Sequence, residues 1–448
     1  MSKEKVQVGE EAIYDVKVLG LPKTLVLGLQ HVFAMFGATV LVPLITGLSV
    51  STTLLMTGIG TLLFHLITKG KVPAFLGSSF AFLGGYAAVA PKLEVVAADG
   101  TITKVANTEM LPYACGGVIV AGLVYVVLAA FIKFFGVNKV MKFFPPVVTG
   151  PIIISIGLIL APSAITNCQT NWLLAIIALT VIIICNIWGK GMVKIVPIML
   201  GIAVSYIFAL FMGEVDFSSI ANAKIIEIPL KTSEFAKFSI SAIITIVPIS
   251  LATMMEHIGD ISAIGATTGV NYIKKPGLHR TLIGDGLATS LSAVFGGPAN
   301  TTYGENTGVL ALTKVYDPLV MEIASVIAIL LSFLPGVEAF INSIPVAIIG
   351  GISLILYGMI SAIGIRNVVE NQIDFTKSRN LIIAAVILVS AIGFNNIGGI
   401  TFHVFSAEIN LSGLAIAAFV GIILNAILPG NDYVFDGKEK HDELTFKV

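Results

Sequence analysis

Fourteen apolar runs divide this chain of 448 residues, near 25–48, 52–68, 79–91, 110–135, 144–163, 171–188, 192–213, 238–264, 281–296, 304–316, 318–334, 343–364, 380–394 and 411–428. Most approach the ~20 residues that a helix needs to cross a hydrocarbon core. A chain built this way cannot close an ordinary soluble core. Its residues are 56% hydrophobic and only 12% charged, against about 25% charged in soluble domains. The expected fold class is an all-α polytopic membrane protein. A membrane β-barrel would instead alternate over ~10-residue segments. The 44 glycines suit closely packed helices. Basic and acidic residues balance at 26 each, with no basic stripe for nucleic acid. Cys115, Cys168 and Cys185 lack metal-ligand spacing and read as buried thiols.

Charge placement gives the orientation. With the N-terminus inside and every run crossing once, the inside loops and tails hold 21 of the 26 Lys and Arg residues. The outside loops hold only Lys92, Lys104, Lys224, Lys231 and Lys237. Positive charge collects on the cytosolic side of membrane proteins, and a miscounted segment would scramble the bias. Residues 1–23 and 431–448 therefore read as cytosolic tails of a multi-pass protein of the cytoplasmic membrane. The first twenty residues carry mixed charge and do not resemble a cleavable signal peptide.

Two runs are short and flanked by Gly and Pro: 79–91 after PAFLGSS, and 304–316 after GGPANTTYG. They stand third in the first seven segments and third in the second seven. Seven is odd, so the second repeat is inverted relative to the first. Short segments at matching positions of inverted repeats point to a transporter's midplane site. The extended stretches before them can pair as short strands. Non-helical backbone at membrane depth survives only where it is buried or lines a cavity.

Glu256 and Glu305 lie inside apolar runs. An intramembrane carboxylate costs at least ~3 kcal/mol, so it usually faces a polar cavity and binds something. Glu305 and Gly304 open the second short helix, where free N–H groups favour electron-rich ligand atoms. Ser78 and Ser79 open the other, whose amides are a second candidate site for a carbonyl. Phe80 and Tyr303 are the candidates to stack on a flat ring. Asp260 lies four residues after Glu256 and shares its helix face. Two carboxylates there repel unless one is protonated or a cation is near, which suits a proton carrier. Asp285 is a third candidate carrier, although an ion pair with Arg280 or a backbone contact explains it equally well. Gln30, His31 and Asn306 read as polar groups bonding between helices, and His257 as packing. No HExxH or GxxxxGK[ST] motif occurs, which disfavours a zinc protease and an ATP-driven pump. No metal or cofactor is expected.

The run Glu305-Asn306-Thr307-Gly308-Val309-Leu310-Ala311-Leu312-Thr313-Lys314 matches the signature [QEP]-N-x-G-x-x-x-x-T-[RKG]. By this run, and by 29–43, 70–82, 276–306 and 350–366, the chain resembles the nucleobase–ascorbate transporter family, in particular its bacterial uracil-carrying members. The resemblance covers roughly 20–430. It implies a core domain of segments 1–4 (24–135) and 8–11 (238–334), and a gate domain of segments 5–7 (140–213) and 12–14 (343–428). It also implies a homodimer and proton-coupled uptake, with substrate contacts at Glu256, Glu305, Gly304, Tyr303 and Phe80. Some uracil carriers have His where this chain has Asp260. Uracil offers two N–H donors and two carbonyls, which match two carboxylates and helix-terminal amides. Being neutral, it needs a co-transported proton to draw on the membrane potential, at about 2.3 kcal/mol per 100 mV. The alternatives are a purine symporter of the same fold, for xanthine for example, and a channel.

Overall fold

A computed structural model describes residues 8–96, 102–404 and 407–430. The C-terminal tail expected at 431–448, and residues 1–7 of the N-terminal one, lie outside the described residues. Every apolar run falls on helix. Segments 1 to 7 are Leu21–Thr46, Val50–Thr68, Leu83–Val89, Leu111–Phe135, Pro146–Cys168, Trp172–Trp188 and Pro197–Met212. Segment 8 is Ile240–Ile246 followed by Ile249–Thr268, and Pro248, which has no N–H, stands at the break. Segments 9 to 14 are Leu278–Val294, Gly304–Thr313, Leu319–Ser332, Val346–Glu370, Ser378–Asn396 and Gly413–Ile427. Among the described residues, seven of these (1, 2, 4, 5, 8, 12 and 13) are long and apolar enough to cross a membrane by themselves. Segment 11 bends by 84° into a further helix, Pro335–Asn342. Segments 3 and 10 are the shortest, with 7 and 10 residues.

The helices pair in two sets. Segment 2 packs along segments 9 and 11, segment 4 along 9 and the start of 8, and segment 1 along 11. Segment 5 packs along 12 and 13, segment 6 along 7 and 12, and segment 13 along 14. Between lipid-like surfaces, close approach of small residues is the main source of helix attraction. Gly122 and Gly286 show it: a Cβ built on Gly122 would lie 2.5 Å from the Gly286 carbonyl, and one on Gly286 would lie 2.4 Å from the Gly122 carbonyl. In the other set, a Cβ on Gly364 would lie 2.8 Å from the Gly150 carbonyl.

Among the described residues there are three two-stranded ribbons. β1 (Leu76–Ser78) pairs antiparallel with β4 (Asn300–Thr302), joining residues that precede segments 3 and 10. β2 (Leu93–Val96) pairs with β3 (Ile102–Val105), and β5 (Ile400–Val404) with β6 (Ala407–Leu411). Both of these hairpins sit in connections that the charge pattern places on the outer side.

Residues 8–20, part of the stretch expected as a cytosolic tail, dock against the helices. Ile13 forms a bridge with Val315, and Tyr14 donates from its hydroxyl to the Thr268 carbonyl at 2.7 Å. The reason is apolar burial in a mixed-charge stretch: Ile13 and Val16 are buried against the turn between segments 10 and 11.

The glycine crossing is testable by size. Gly122→Val forces a side chain against Ser290 Oγ at 2.3 Å and the Gly286 carbonyl, so we expect a loss of about 1–3 kcal/mol, typical of overpacking. Gly393, with nothing within 4 Å of a built Cβ, should tolerate alanine with no loss of stability. Thermal unfolding in detergent measures both.

Candidate functional site

The β1–β4 ribbon is the frame of the site. Buried backbone groups need partners, and a two-stranded ribbon leaves two outer edges unpaired. Side chains from segments 2 and 9 fill them. Thr61 accepts from the Leu76 N–H at 3.0 Å and donates to the Leu76 carbonyl at 3.2 Å. The Thr289 hydroxyl donates to the Asn300 carbonyl. Asp285 Oδ1 accepts from the Thr302 N–H at 3.0 Å. Two further backbone bonds continue the ladder, Ser79 N–H to the Ala299 carbonyl and Tyr303 N–H to the Phe75 carbonyl. After them the chain turns into segment 3 through a 3-10 turn (Phe80–Phe82), and into segment 10 at Gly304. Tyr303, at the N-cap, gives segment 10 no capping side chain, so helix-terminal amides remain for a ligand.

Carboxylates gather at that start. Asp260 Oδ1 is 3.8 Å from the position of a Cβ on Gly304. Glu256, Asp260, Asp285 and Glu305 lie close enough for their charges to act on one another. Gly304 is exposed, and Glu256, Asp260 and Glu305 are half-buried, so this group borders open space. Among the described residues, neither the Glu256 nor the Glu305 side chain has a hydrogen-bond partner in another residue. The arrangement offers acceptors for N–H groups beside helix-terminal donors for carbonyls.

Thr302 is the hinge of the polar network. Its hydroxyl donates to Asp260 Oδ2 at 3.2 Å, and His257 Nδ1 lies 3.2 Å from the same hydroxyl. His257 Nδ1 is also 3.4 Å from Asp285 Oδ1, with both side chains fully buried. Asp285 therefore belongs to the ribbon edge and to His257. Arg280 turns away and donates to the Ile67 carbonyl at 3.2 Å. Of the two structural readings of Asp285, the backbone contact is found and the Arg280 pair is not. Asp285 Oδ2 and His257 Nε2 are buried without partners among the described residues.

The other candidates are distributed around this centre. Tyr303 points its hydroxyl across the ribbon to the Ser78 carbonyl at 2.9 Å, with Thr39 Oγ1 at 3.4 Å. Its ring lies over Gly77, where a Cβ would come within 2.3 Å, so only glycine fits there. Tyr303 thus locks the frame, and its ring is 5% exposed. Phe80 meets Tyr357 of segment 12 edge-on at 6.1 Å, at the boundary between the two helix sets. Asn306 donates to His31 through Nδ1 at 3.1 Å and the carbonyl at 3.2 Å, tying segment 10 to segment 1. Gln30 reaches Met192 Sδ at 2.9 Å. The site residues that sequence reasoning missed are His257, read there as packing, and Thr302. Their signals were adjacency to Glu256 and a hydroxyl in the extended stretch.

Short helices meeting at a group of carboxylates, within a bundle of apolar helices, define a multi-pass membrane protein with a polar site among its helices. The fold is similar to that of the transmembrane domain of a cyanobacterium bicarbonate transporter, BicA, which superposes with a TM-score of 0.60 at 15% identity, over 93% of this chain and 99% of that one. The model of the family described as Permease family matches residues 22–398, and the chain belongs to this family. The uracil permease of Bacillus caldolyticus is 43% identical over 417 residues, covering 90% of this chain and 91% of that protein. The uracil permease of Bacillus subtilis is 40% identical, over 98% of this chain and 100% of its own.

The edge role of Asp285 separates two substitutions. Asp285→Ala leaves the buried Thr302 N–H without an acceptor and should cost about 1–3 kcal/mol. Asp285→Asn keeps an oxygen for that N–H and should unfold near the wild-type temperature. Equal losses in both, measured by thermal unfolding, would remove the backbone contact as the reason for this residue.

Proposed function

We propose that the protein carries uracil across the cell membrane together with a proton, by alternating access. One observation carries the reading: Glu256 and Glu305, whose carboxylates have no hydrogen-bond partner in another residue among the described residues, flank the start of segment 10. In this reading they accept the two N–H groups of uracil, and the amides from Gly304 onward donate to a carbonyl. Phe80 borders the flat face of the ring, and Tyr303 holds the frame on which the base rests. The names of the relatives support uracil over a purine.

The same proposal divides the fourteen segments into two inverted repeats, each crossing seven times. What supports it is the pairing of helices. Exchanging segment n with n + 7 turns the packing of 2 on 11 into 9 on 4, 1 on 11 into 8 on 4, 6 on 7 into 13 on 14, and 6 on 12 into 13 on 5. The pairs 2 on 9 and 5 on 12 map onto themselves, as does β1 on β4. The two helix sets correspond to a core of segments 1–4 and 8–11 and a gate of 5–7 and 12–14. Alternating access is then movement of one set against the other, with Phe80 and Tyr357 at their boundary. Asp260 carries the proton in this scheme. Its carboxylate faces the opening and reaches the buried His257–Asp285 pair through Thr302.

Losing one good bond to a charged acceptor costs ~1.5–3 kcal/mol. Glu256→Gln and Glu305→Gln should therefore each weaken uracil binding by ten- to over a hundredfold in calorimetry, and near-normal binding in both would refute the contact. Asp260→Asn should preserve exchange of labelled for unlabelled uracil while abolishing accumulation, because exchange moves no net proton. Vesicles with labelled uracil and an imposed pH gradient test the whole reading. Accumulation should follow the gradient, saturate, and be blocked by unlabelled uracil but not by xanthine. Xanthine competition would indicate a purine carrier, and flux without saturation a channel.

A further inference from the structure

A histidine and a carboxylate meet between segments 2 and 11, apart from the carboxylate site. The two helices approach closely at Gly58, where a built Cβ would lie 2.5 Å from the Ser325 carbonyl. Further along segment 2, His65 Nδ1 lies 3.2 Å from Glu322 Oε1. The other ring nitrogen, Nε2, lies 2.9 Å from the Ala74 carbonyl. The His65 side chain is 2% exposed and that of Glu322 38%, so the imidazole is sealed and the carboxylate is its way out of the bundle. The charge pattern places this end of both segments on the inner side.

Ring chemistry counts the protons. A carbonyl only accepts, so the contact with Ala74 needs a hydrogen on Nε2. A neutral imidazole carries one N–H, and its other nitrogen is then a lone pair. A lone pair facing an ionised carboxylate makes no hydrogen bond. Both contacts hold together only with one further proton. It sits on Nδ1, making an imidazolium, or on Glu322, as a carboxylic acid that donates to Nδ1. The titratable groups on the surrounding elements are engaged elsewhere. Arg280 of segment 9 donates to the Ile67 carbonyl, and Asp285 accepts from the Thr302 N–H. His279 lies toward Lys133 of segment 4. His257 of segment 8 faces Phe64 and reaches Thr302. His31 of segment 1 receives Asn306, and Glu338 accepts from Val50 at the far end of segment 2. Asp317 accepts from the Val16 N–H, and Lys314 donates to the Glu10 carbonyl. Lys23, Lys69 and Lys71 are exposed.

We infer that His65 and Glu322 form a proton-binding site, separate from the carboxylate site, that grips the entry to β1 when loaded. Thr61, four residues before His65 and on the same face of segment 2, holds Leu76 through its N–H and its carbonyl. His65 holds Ala74, which is buried. When the proton leaves through Glu322 to water, one N–H remains for two acceptors. Either the Ala74 carbonyl or the Glu322 carboxylate then loses its donor.

The test uses the full-length protein in lipid nanodiscs, with isotope-labelled histidine and glutamate, and solid-state NMR at about pH 7.5, roughly one unit above the ordinary histidine range. The His65 signal, identified by its loss in His65→Gln, should show two protonated nitrogens, or one beside a protonated Glu322 carboxyl. Glu322→Gln offers an amide N–H to Nδ1, so a neutral ring then satisfies both contacts. That variant should show a single protonated nitrogen, Nε2. A wild-type ring with one protonated nitrogen beside an ionised carboxylate would overturn the assignment, as would a doubly protonated ring that survives in Glu322→Gln. Unfolding by urea in detergent gives a second measurement. The folded pair holds a proton that the unfolded chain has released above about pH 6.5. The wild-type folding equilibrium should therefore weaken, relative to Glu322→Gln, by about tenfold per pH unit while the proton stays bound. Parallel curves for the two proteins as the pH rises would also overturn it. Neither measurement involves uracil, so the outcome is independent of the transport reading.

Discussion

A backbone that leaves the helix among apolar neighbours must find partners for its N–H and C=O groups, and here the two stretches that leave it find each other. The β1–β4 ribbon is six residues of strand in a chain that is mostly helix. An unpaired buried polar group costs on the order of a hydrogen bond with nothing to replace it. Pairing solves half of the problem. Thr61, Thr289 and Asp285 solve the rest from segments 2 and 9, and Tyr303 and Ser78 close the ribbon from within. Segments 3 and 10 can start inside the bundle only because this frame holds their first residues.

The chemistry of the site follows from the same frame. Ending a strand at Thr302 aims the next residues along a new helix, so Gly304 and Glu305 meet the face of segment 8 that bears Glu256 and Asp260. Thr302 serves both purposes, giving its N–H to the frame and its hydroxyl to Asp260. Architecture and polar chemistry therefore share residues. A substitution meant to probe one disturbs the other unless it preserves the backbone partner, as asparagine does at 285.

Much of this was legible in the sequence. Each of the fourteen apolar runs marked helix, because a segment that avoids charge over ~20 residues has few alternatives. Gly and Pro flanking two short runs marked the ribbon, and the isolation of Glu256 and Glu305 marked the opening. Direction was harder to read. Tyr303 looked like a stacking ring, but side chains alternate along a strand, and its hydroxyl reaches a carbonyl 225 residues away in the chain. The local signals of Thr302 and His257, a hydroxyl in an extended stretch and adjacency to Glu256, do not name their partners, which come from different elements. Residues 8–20 looked like a tail because their apolar content is only a few side chains. Ile13 and Val16 find a pocket that sequence periodicity does not reveal.

The ribbon also sets an order of events during synthesis. β1 leaves the ribosome long before β4 exists, with 225 residues separating Ser78 from Tyr303. Throughout that interval the first strand has no edge to pair with, and segment 3 has no frame to start from. The nascent first half must therefore keep residues 76–78 hydrated or held in a provisional arrangement while segments 3 to 9 are threaded. A stall between segments 4 and 9 would expose a sticky strand, which quality-control proteases and chaperones recognise. The two short strands can zip together only once segment 9 has been made, and segments 3 and 10 gain their common frame at that point.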